Sequence, residues 1–405
     1  MIYSVLQFLD LWLYGQIHFF LIFSLWVWFV WGVKIWRASR YYEYTESFKT
    51  TVAIVIPTFG EHPEVFRRGL TSSVKASPDE IVVVLDGPNS TLEEVARSFP
   101  EVKVIALPKV GKRKAFAVGV VNAESEIVLL KDSDTVFAPG SLAELLKPFA
   151  DPEVGGVTSN QHIFNPNGNW VRRICEWMED SRFKISTPAQ SSSGVVGCLP
   201  GRAIAFRRNI VLSCLREFLN EQFLGTRCET GDDRSLTSHV LRRGYKTVYQ
   251  RKAVVFTDSP STFSDFVKQQ LRWARSSQRY TLMAIPWIFK KPKILAFHFL
   301  TDMVTPFFFT AVVVVGGLNI VFGLDRVVLI EGTPWAKLWS GILLGLIGMN
   351  LSLGFRQIPH FLSKKSDLVW LPIYTFVMTF VMVPIRLYGF FTMSNQGWMT
   401  RQGGK

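Results

Sequence analysis

Cysteine is scarce in this chain of 405 residues: Cys175, Cys198, Cys214 and Cys228 are widely spaced and form no CxxC pair. That excludes a disulfide scaffold and fits reduced thiols in a cytosolic setting. Charge is thin as well, with 19% Asp, Glu, Lys and Arg against about 25% in typical soluble chains. The GxGxxG fingerprint, the GxxxxGKS/T phosphate loop and HExxH are all missing. Their absence weighs against Rossmann dinucleotide, P-loop and zinc chemistry.

Apolar and basic residues are abundant instead. Hydrophobic residues make up 48% of the chain, which excludes disorder. The 33 Phe and 13 Trp concentrate near the two ends. Lys and Arg number 45 against 32 Asp and Glu, a net charge of +13. These cations gather at the flanks of apolar runs and at presumed phosphate sites, so no nucleic acid partner is expected.

Residues 17–36 carry one charge, Lys34. Twenty residues at about 1.5 Å each cross a hydrocarbon core of about 30 Å. Lys34 near the far end of this run, with Arg37 and Arg40 beyond it, lets the positive-inside rule place residue 40 onward in the cytoplasm. Residues 295–323 and 335–355 read as an outward and a returning span, with Lys290, Lys291, Lys293, Arg356, Lys364 and Lys365 on the cytoplasmic side. The stretch 367–393 is interrupted by Pro372 and Pro384 and carries Arg386; a broken, re-entrant pair of helices is expected there. The chain thus divides into a membrane segment (1–45), a soluble domain (46–260), an interfacial helix (261–293), a second membrane region (294–393) and a tail (394–405). The expected localisation is a multi-pass protein of the plasma membrane, its soluble domain cytoplasmic and the lipid bilayer a partner.

Within the soluble domain, short β-branched runs recur at 51–57, 80–86, 101–107 and 126–132, with helical segments between them. This is the α/β pattern of parallel strands buried on both faces, wound into a doubly wound sheet. Ligands of such sheets gather at the carboxyl ends of strands. Polar residues arise abruptly there: Thr58 to Glu61, Asp86-Gly87, and Asp132-Ser133-Asp134. The basic, glycine-containing segment Lys109-Val-Gly-Lys112-Arg113-Lys114 lies between two of these ends. Carboxylates beside such a loop suit a nucleotide diphosphate and a divalent cation.

Further along, Glu229-Thr-Gly-Asp232-Asp233-Arg234 sets two adjacent carboxylates beside a guanidinium. Their repulsion raises one pKa toward that of a general base; a solvated acidic turn capping a helix that begins near Ser235 is the alternative. Thr262-x-x-Asp265 reads as a capping box opening an amphipathic helix that carries Gln269-Gln-Leu-Arg272-Trp273.

In this order the motifs resemble those of family 2 membrane glycosyltransferases, bacterial hyaluronan synthases in particular, with CLPG at Cys198–Gly201 similar to chitin synthases. The resemblance implies a GT-A-type sheet joined to a transmembrane helical bundle with interfacial helices. It implies a UDP-sugar donor, a growing glycan acceptor and Mg2+ or Mn2+. Thr58, Glu61, Asp86, Lys109, Lys112 and Asp132 would bind the donor, and Asp134 of the DxD motif would hold the cation. Cys198 and Gly201 would lie on the acceptor side, while Asp233, with Asp232 and Arg234, would form the catalytic-base motif. Gln269, Arg272 and Trp273 match QxxRW at the diphosphate and acceptor. Trp398, Thr400 and Arg401 resemble a gating tail, with Met399 where those tails carry glycine. One N-terminal span precedes the domain where bacterial hyaluronan synthases have two. The implied activity is inverting extension, with translocation, of a β-linked polysaccharide. A single-transfer glycolipid synthase and a non-catalytic membrane scaffold are the rivals.

Overall fold

The computed structural model describes residues 19–321 and 334–397. Its contacts divide the chain into two units: Arg37–Phe299 with Tyr388–Lys405, and Met1–Trp36 with Leu300–Leu387.

The first unit is built on a sheet. β1 (Val52–Thr58), β2 (Glu80–Asp86), β3 (Val102–Leu107) and β4 (Ile127–Lys131) are parallel, in the order β3-β2-β1-β4. Their alternating side chains supply two cores, as expected of strands covered on both faces. Ile54 and Ile56 pack on one side with Phe66 and Leu70. Ala53 and Val55 pack on the other with Phe116 and Val120.

The parallel winding expected from the sequence ends at β4. Beyond it the sheet is mixed, through β5 (Val136–Phe137), β6 (Val154–Ile163), β7 (Ala203–Arg207) and β10 (Lys246–Thr257). β8 (Gln222–Phe223) and β9 (Thr226–Arg227) form a separate small hairpin. β7 lies antiparallel between β4 and β6, and β6 runs parallel to β10 with a register shift between Tyr249 and Val254. These later strands escape a search for branched apolar runs: β6 reads VGGVTSNQHI, and β7 is five residues long.

Helices Pro63–Lys75, Ser90–Arg97 and Lys112–Val121 connect the parallel strands. Asn89 caps the second of them by accepting from Leu92 N at 3.0 Å. The expected capping box opens the helix Phe263–Ile288, where Thr262 Oγ1 accepts from Asp265 N at 3.2 Å. The helix Asp232–Arg242 begins three residues before the expected Ser235. Its two acids therefore occupy the first turn, where they complement the helix dipole.

The second unit is helical. It takes in the helix Phe19–Ala38 as far as Trp36, the helix Lys293–Val321 from Leu300 onward, and the helix Pro334–Arg356. A helical run then extends from residue 365 toward 391. Among the described residues, Lys293–Val315 and Lys365–Phe391 are long and apolar enough to cross a membrane. The charge that interrupts the first apolar run is neutralised inside the unit, since Lys34 Nζ lies 2.8 Å from Asp302 Oδ1. Trp26 donates to Thr305 Oγ1 at 3.1 Å and Trp28 to Ser352 Oγ at 3.2 Å.

The broken pair of helices expected at 367–393 is instead one continuous helical run. It passes from 3-10 geometry (Lys365–Trp370) to α (Leu371–Phe376), then π (Val377–Val381), then α again (Met382–Phe391). Pro372 falls in the first turn of an α segment, where its missing N–H is not needed. Pro384 follows the π segment, whose wider turn absorbs the bond that proline cannot donate. The residues between the expected outward and returning spans, 324–334, fall almost wholly outside the described residues.

Gly69 shows how tightly the helix Pro63–Lys75 sits on the turn after β4. A Cβ at this position would overlap the Ser133 carbonyl oxygen, a backbone atom. Gly69→Ala should cost about 1–3 kcal/mol, the usual range for overpacking. A lowered thermal midpoint of the detergent-solubilised protein would register it, whereas an unchanged midpoint would show that the turn yields freely.

Candidate active site

The carboxyl ends of β1, β2 and β4 lie side by side, and hydrogen bonds tie their turns together. After β1, Glu61 Oε2 accepts from Ser133 Oγ at 2.8 Å, joining this turn to the Asp132-Ser-Asp134 segment. Thr58 is buried at the strand end. At the end of β2, the Asp86 carboxylate accepts from Val110 N at 2.6 Å and from Gly111 N at 3.0 Å. Gly111 takes φ +92°, a conformation that favours glycine. Asp86 thus folds the basic loop back onto the sheet edge, a structural bond that the motif alone does not reveal. Lys109 Nζ lies 4.5 Å from the Phe59 ring centroid. A cleft of about 180 Å³, lined by Thr58, Phe59, Gly60, Gly87, Pro88 and Asn89 among others, opens at these strand ends.

Lys112, first residue of its helix, joins the remaining motifs. Its Nζ lies 2.8 Å from Asp132 Oδ1 and 3.2 Å from Asp232 Oδ2. Gly201 borders the same place: a Cβ there would stand 3.7 Å from that of Asp233 and 3.8 Å from Lys112 Nζ. The Cys198 thiol donates to Asp233 Oδ2 at 3.7 Å, and Arg234 N donates to Asp233 Oδ1 at 2.8 Å. Lys112, Asp132, Cys198, Gly201, Asp232 and Asp233 therefore form one connected cluster, with Asp86 tied to it through the amides of Val110 and Gly111. The Arg234 guanidinium lies over the Phe299 ring at 5.3 Å.

Asp134 Oδ1 lies 3.4 Å from the Thr135 hydroxyl and 3.5 Å from that of Thr257. A half-buried carboxylate among oxygens is a hard donor of the kind that suits Mg2+ or Mn2+. Gln269, Arg272 and Trp273 are half-buried on the helix Phe263–Ile288. Trp273 is approached by Arg182 and Arg202, at 5.7 and 5.8 Å from its ring. The Arg202 carbonyl in turn accepts from Asp132 N at 3.1 Å. Trp398, Thr400 and Arg401 lie outside the described residues.

Residues 50–276, more than half of the chain, match the profile described as glycosyltransferase like family 2. The chain belongs to glycosyltransferase family 2. It is 28% identical over 360 residues to an N-acetylglucosaminyltransferase of Rhizobium leguminosarum bv. viciae, covering 87% of this chain and 81% of that protein. To a hyaluronan synthase of Streptococcus pyogenes it is 29% identical over 365 residues, covering 87% and 83%. Its fold is similar to that of a mannosyltransferase of Pyrobaculum calidifontis solved with GDP-Man and Mn2+. The TM-score is 0.59 at 17% identity, over 89% of this chain and 98% of that one. The mixed sheet is thus that of a GT-A-like glycosyltransferase.

In this glycosyltransferase the adjacent acids are driven apart electrostatically. Burial opposes ionisation of Asp232, but Lys112 and Arg113 outweigh it and hold the carboxyl below the ordinary aspartate range. Burial pushes the Asp233 carboxyl up, and the charge on Asp232 pushes it further. Lys112 is held above its ordinary value because Asp132 and Asp232 outweigh its own burial. The Cys198 thiol is pushed up to about 12 by burial and by Asp233.

Several residues here have no sequence motif. Lys131 is wholly buried beneath the DxD turn and donates to the Gly69 carbonyl at 3.1 Å. Its only sequence signal is a lysine closing an apolar strand. Arg202 is buried and paired with Glu179 at 2.8 Å. His162, Glu176 and Asp180 place ligand atoms within 4.8 Å of one another. Ile163 N at 2.8 Å from Glu176 and Lys184 at 2.8 Å from Asp180 already engage that group.

The raised pKa of Asp233 has a consequence for stability. Between the ordinary aspartate value of 3.8 and its higher folded value, the native state holds more protons than the unfolded one. Stability therefore falls as pH rises through that window. Asp233→Asn should raise the thermal midpoint at neutral pH, with the gain fading as pH falls toward 3.8. A lower midpoint at pH 7 would contradict the assignment.

Proposed function

We propose that this enzyme is an inverting, membrane-embedded polysaccharide synthase that takes a UDP-sugar and extends a β-linked glycan. The observation that carries the proposal is Lys112, which brings the DxD acid Asp132 and the GDDR acid Asp232 to one ammonium. Asp233 follows directly and lies beside Gly201 and Cys198.

The nucleoside enters the cleft at the ends of β1 and β2, flanked by Phe59 and Asn89. Lys112 and Arg272 face the diphosphate, and Trp273 lies toward the acceptor. Asp134 would hold Mg2+ or Mn2+, and the ion would supply positive charge to offset the negative charge developing on the leaving group. Asp233 accepts the proton of the acceptor hydroxyl as that oxygen attacks the anomeric carbon. The bond from anomeric carbon to diphosphate oxygen breaks on the opposite face, and UDP departs with its electron pair. A base with a pKa above the ordinary aspartate range is better matched to this step than a fully exposed carboxylate.

The helices Phe19–Ala38, Lys293–Val321 and Pro334–Arg356 and the run from residue 365 would embed the enzyme in the bilayer. The helix Phe263–Ile288 would lie along its face. The growing chain would pass between the first helix and the later ones, which the Lys34–Asp302 pair joins.

The test uses native membranes containing the full chain, with UDP-N-acetylglucosamine as the first donor of a panel and Mn2+ or Mg2+ supplied. A ladder of glycans and released UDP are expected, both abolished by EDTA. Asp233→Asn should lower turnover by about 10²–10⁴-fold, the usual contribution of a general base, and Asp134→Asn should raise the metal requirement. Turnover at the wild-type rate in Asp233→Asn refutes the mechanism. A single discrete glycolipid in place of the ladder assigns the enzyme to lipid glycosylation.

A further inference from the structure

One guanidinium joins two segments that are distant in the chain. Arg279, on the helix Phe263–Ile288, is fully buried. Its Nη2 donates to the Thr230 carbonyl at 2.7 Å and to Thr230 Oγ1 at 3.0 Å. Its Nη1 donates to the Met393 carbonyl at 3.0 Å. Charged donors make such bonds roughly twice as strong as neutral ones.

Both ends of this bridge matter. Thr230 immediately precedes Gly231 and the acid pair. Gly231 has φ +81°, and a Cβ there would overlap the Ser276 hydroxyl, so the turn is pressed against the same helix face. Arg113 Nη2 adds a second cationic donor to the Thr230 carbonyl at 3.4 Å. At the other end, Gln396 Oε1 accepts from Glu229 N at 3.3 Å and from Thr230 Oγ1 at 3.4 Å. Arg275 Nε donates to Thr392 Oγ1 at 3.0 Å. A Cβ on Gly389 would stand 2.8 Å from that of Ala274, so the two backbones approach as only glycine permits.

We propose that Arg279 is a positioning residue through which the C-terminal segment 388–396 sets the placement of Asp233. The segment is then part of the transfer machinery without touching the sugar. A peptide carbonyl two positions before the helix Asp232–Arg242 cannot shift without swinging the first turn that carries both acids. A displacement of about 1 Å at a reacting group costs about 10²-fold in rate. The inference rests on the assignment of Asp233 as the base.

Four variants of the full chain in detergent test it: Arg279→Ala, Arg279→Lys, Gln396→Ala and Asp233→Asn. Each is checked for monodispersity and assayed for UDP release from UDP-N-acetylglucosamine with Mn2+. Arg279→Ala should lower kcat at least about tenfold, with the donor KM within about twofold of wild type. Arg279→Lys, which keeps the buried cation but cannot span both carbonyls, should recover part of the loss. Gln396→Ala, at a half-buried site where folding is safe, should lower kcat about threefold at constant KM. Wild-type kcat in both Arg279→Lys and Gln396→Ala, or a rise in KM alone, overturns the inference. If those two are unimpaired while Asp233→Asn is inactive, the strap alone fails. If Asp233→Asn keeps its turnover, the base assignment fails and takes the strap with it.

Discussion

A single ammonium between two carboxylates organises this candidate active site. Without Lys112, Asp132 and Asp232 would face each other across a few ångströms with Asp233 close by, a concentration of negative charge that a partly buried site does not tolerate. Lys112 can serve both acids because an ammonium offers three donors on a flexible stem. Its own position is set by Gly111, and that turn is set by the Asp86 carboxylate through the amides of Val110 and Gly111. The arrangement therefore runs from an acid at the end of β2, through a backbone turn, to a cation, and from there to the two remaining acidic motifs.

The same cation separates the roles of neighbouring residues. Of the adjacent pair, Asp232 is the one bonded to Lys112, which helps hold its carboxyl below the ordinary aspartate range. Asp233, one residue further, is pushed up first by its burial and then by the charge on Asp232. Adjacent residues on a helix point about 100° apart, so a single positive charge can favour one of them strongly. Gly201 adds no side chain beside this acid: a Cβ there would stand 3.7 Å from that of Asp233.

The helical unit solves a similar problem in an apolar setting. Lys34 and Asp302 lie in runs that would otherwise be continuous hydrocarbon, and they meet each other at 2.8 Å. Lys34 is buried, so removing Asp302 would take away the carboxylate that faces its ammonium, and the pair ties the first helix to the later one. The π segment ahead of Pro384 is the backbone counterpart, a local widening that lets a proline stand inside an uninterrupted run.

The order of motifs, the strands β1 to β4 with their polar ends, the capping box at Thr262 and the apolar helices were all legible locally. Each depends on turn chemistry or on the periodicity of neighbouring residues, which the chain writes in succession. The antiparallel entry of β7, the meeting of Lys112 with acids at 132 and 232, the pairing of Lys34 with Asp302 and the seating of residues 388–396 on Arg279 were not. In every case the partners are tens to hundreds of residues apart and come together only when strand order and helix packing place them. A lysine, a threonine carbonyl or a buried arginine has no local pattern that names its partner, so the fold alone assigns it.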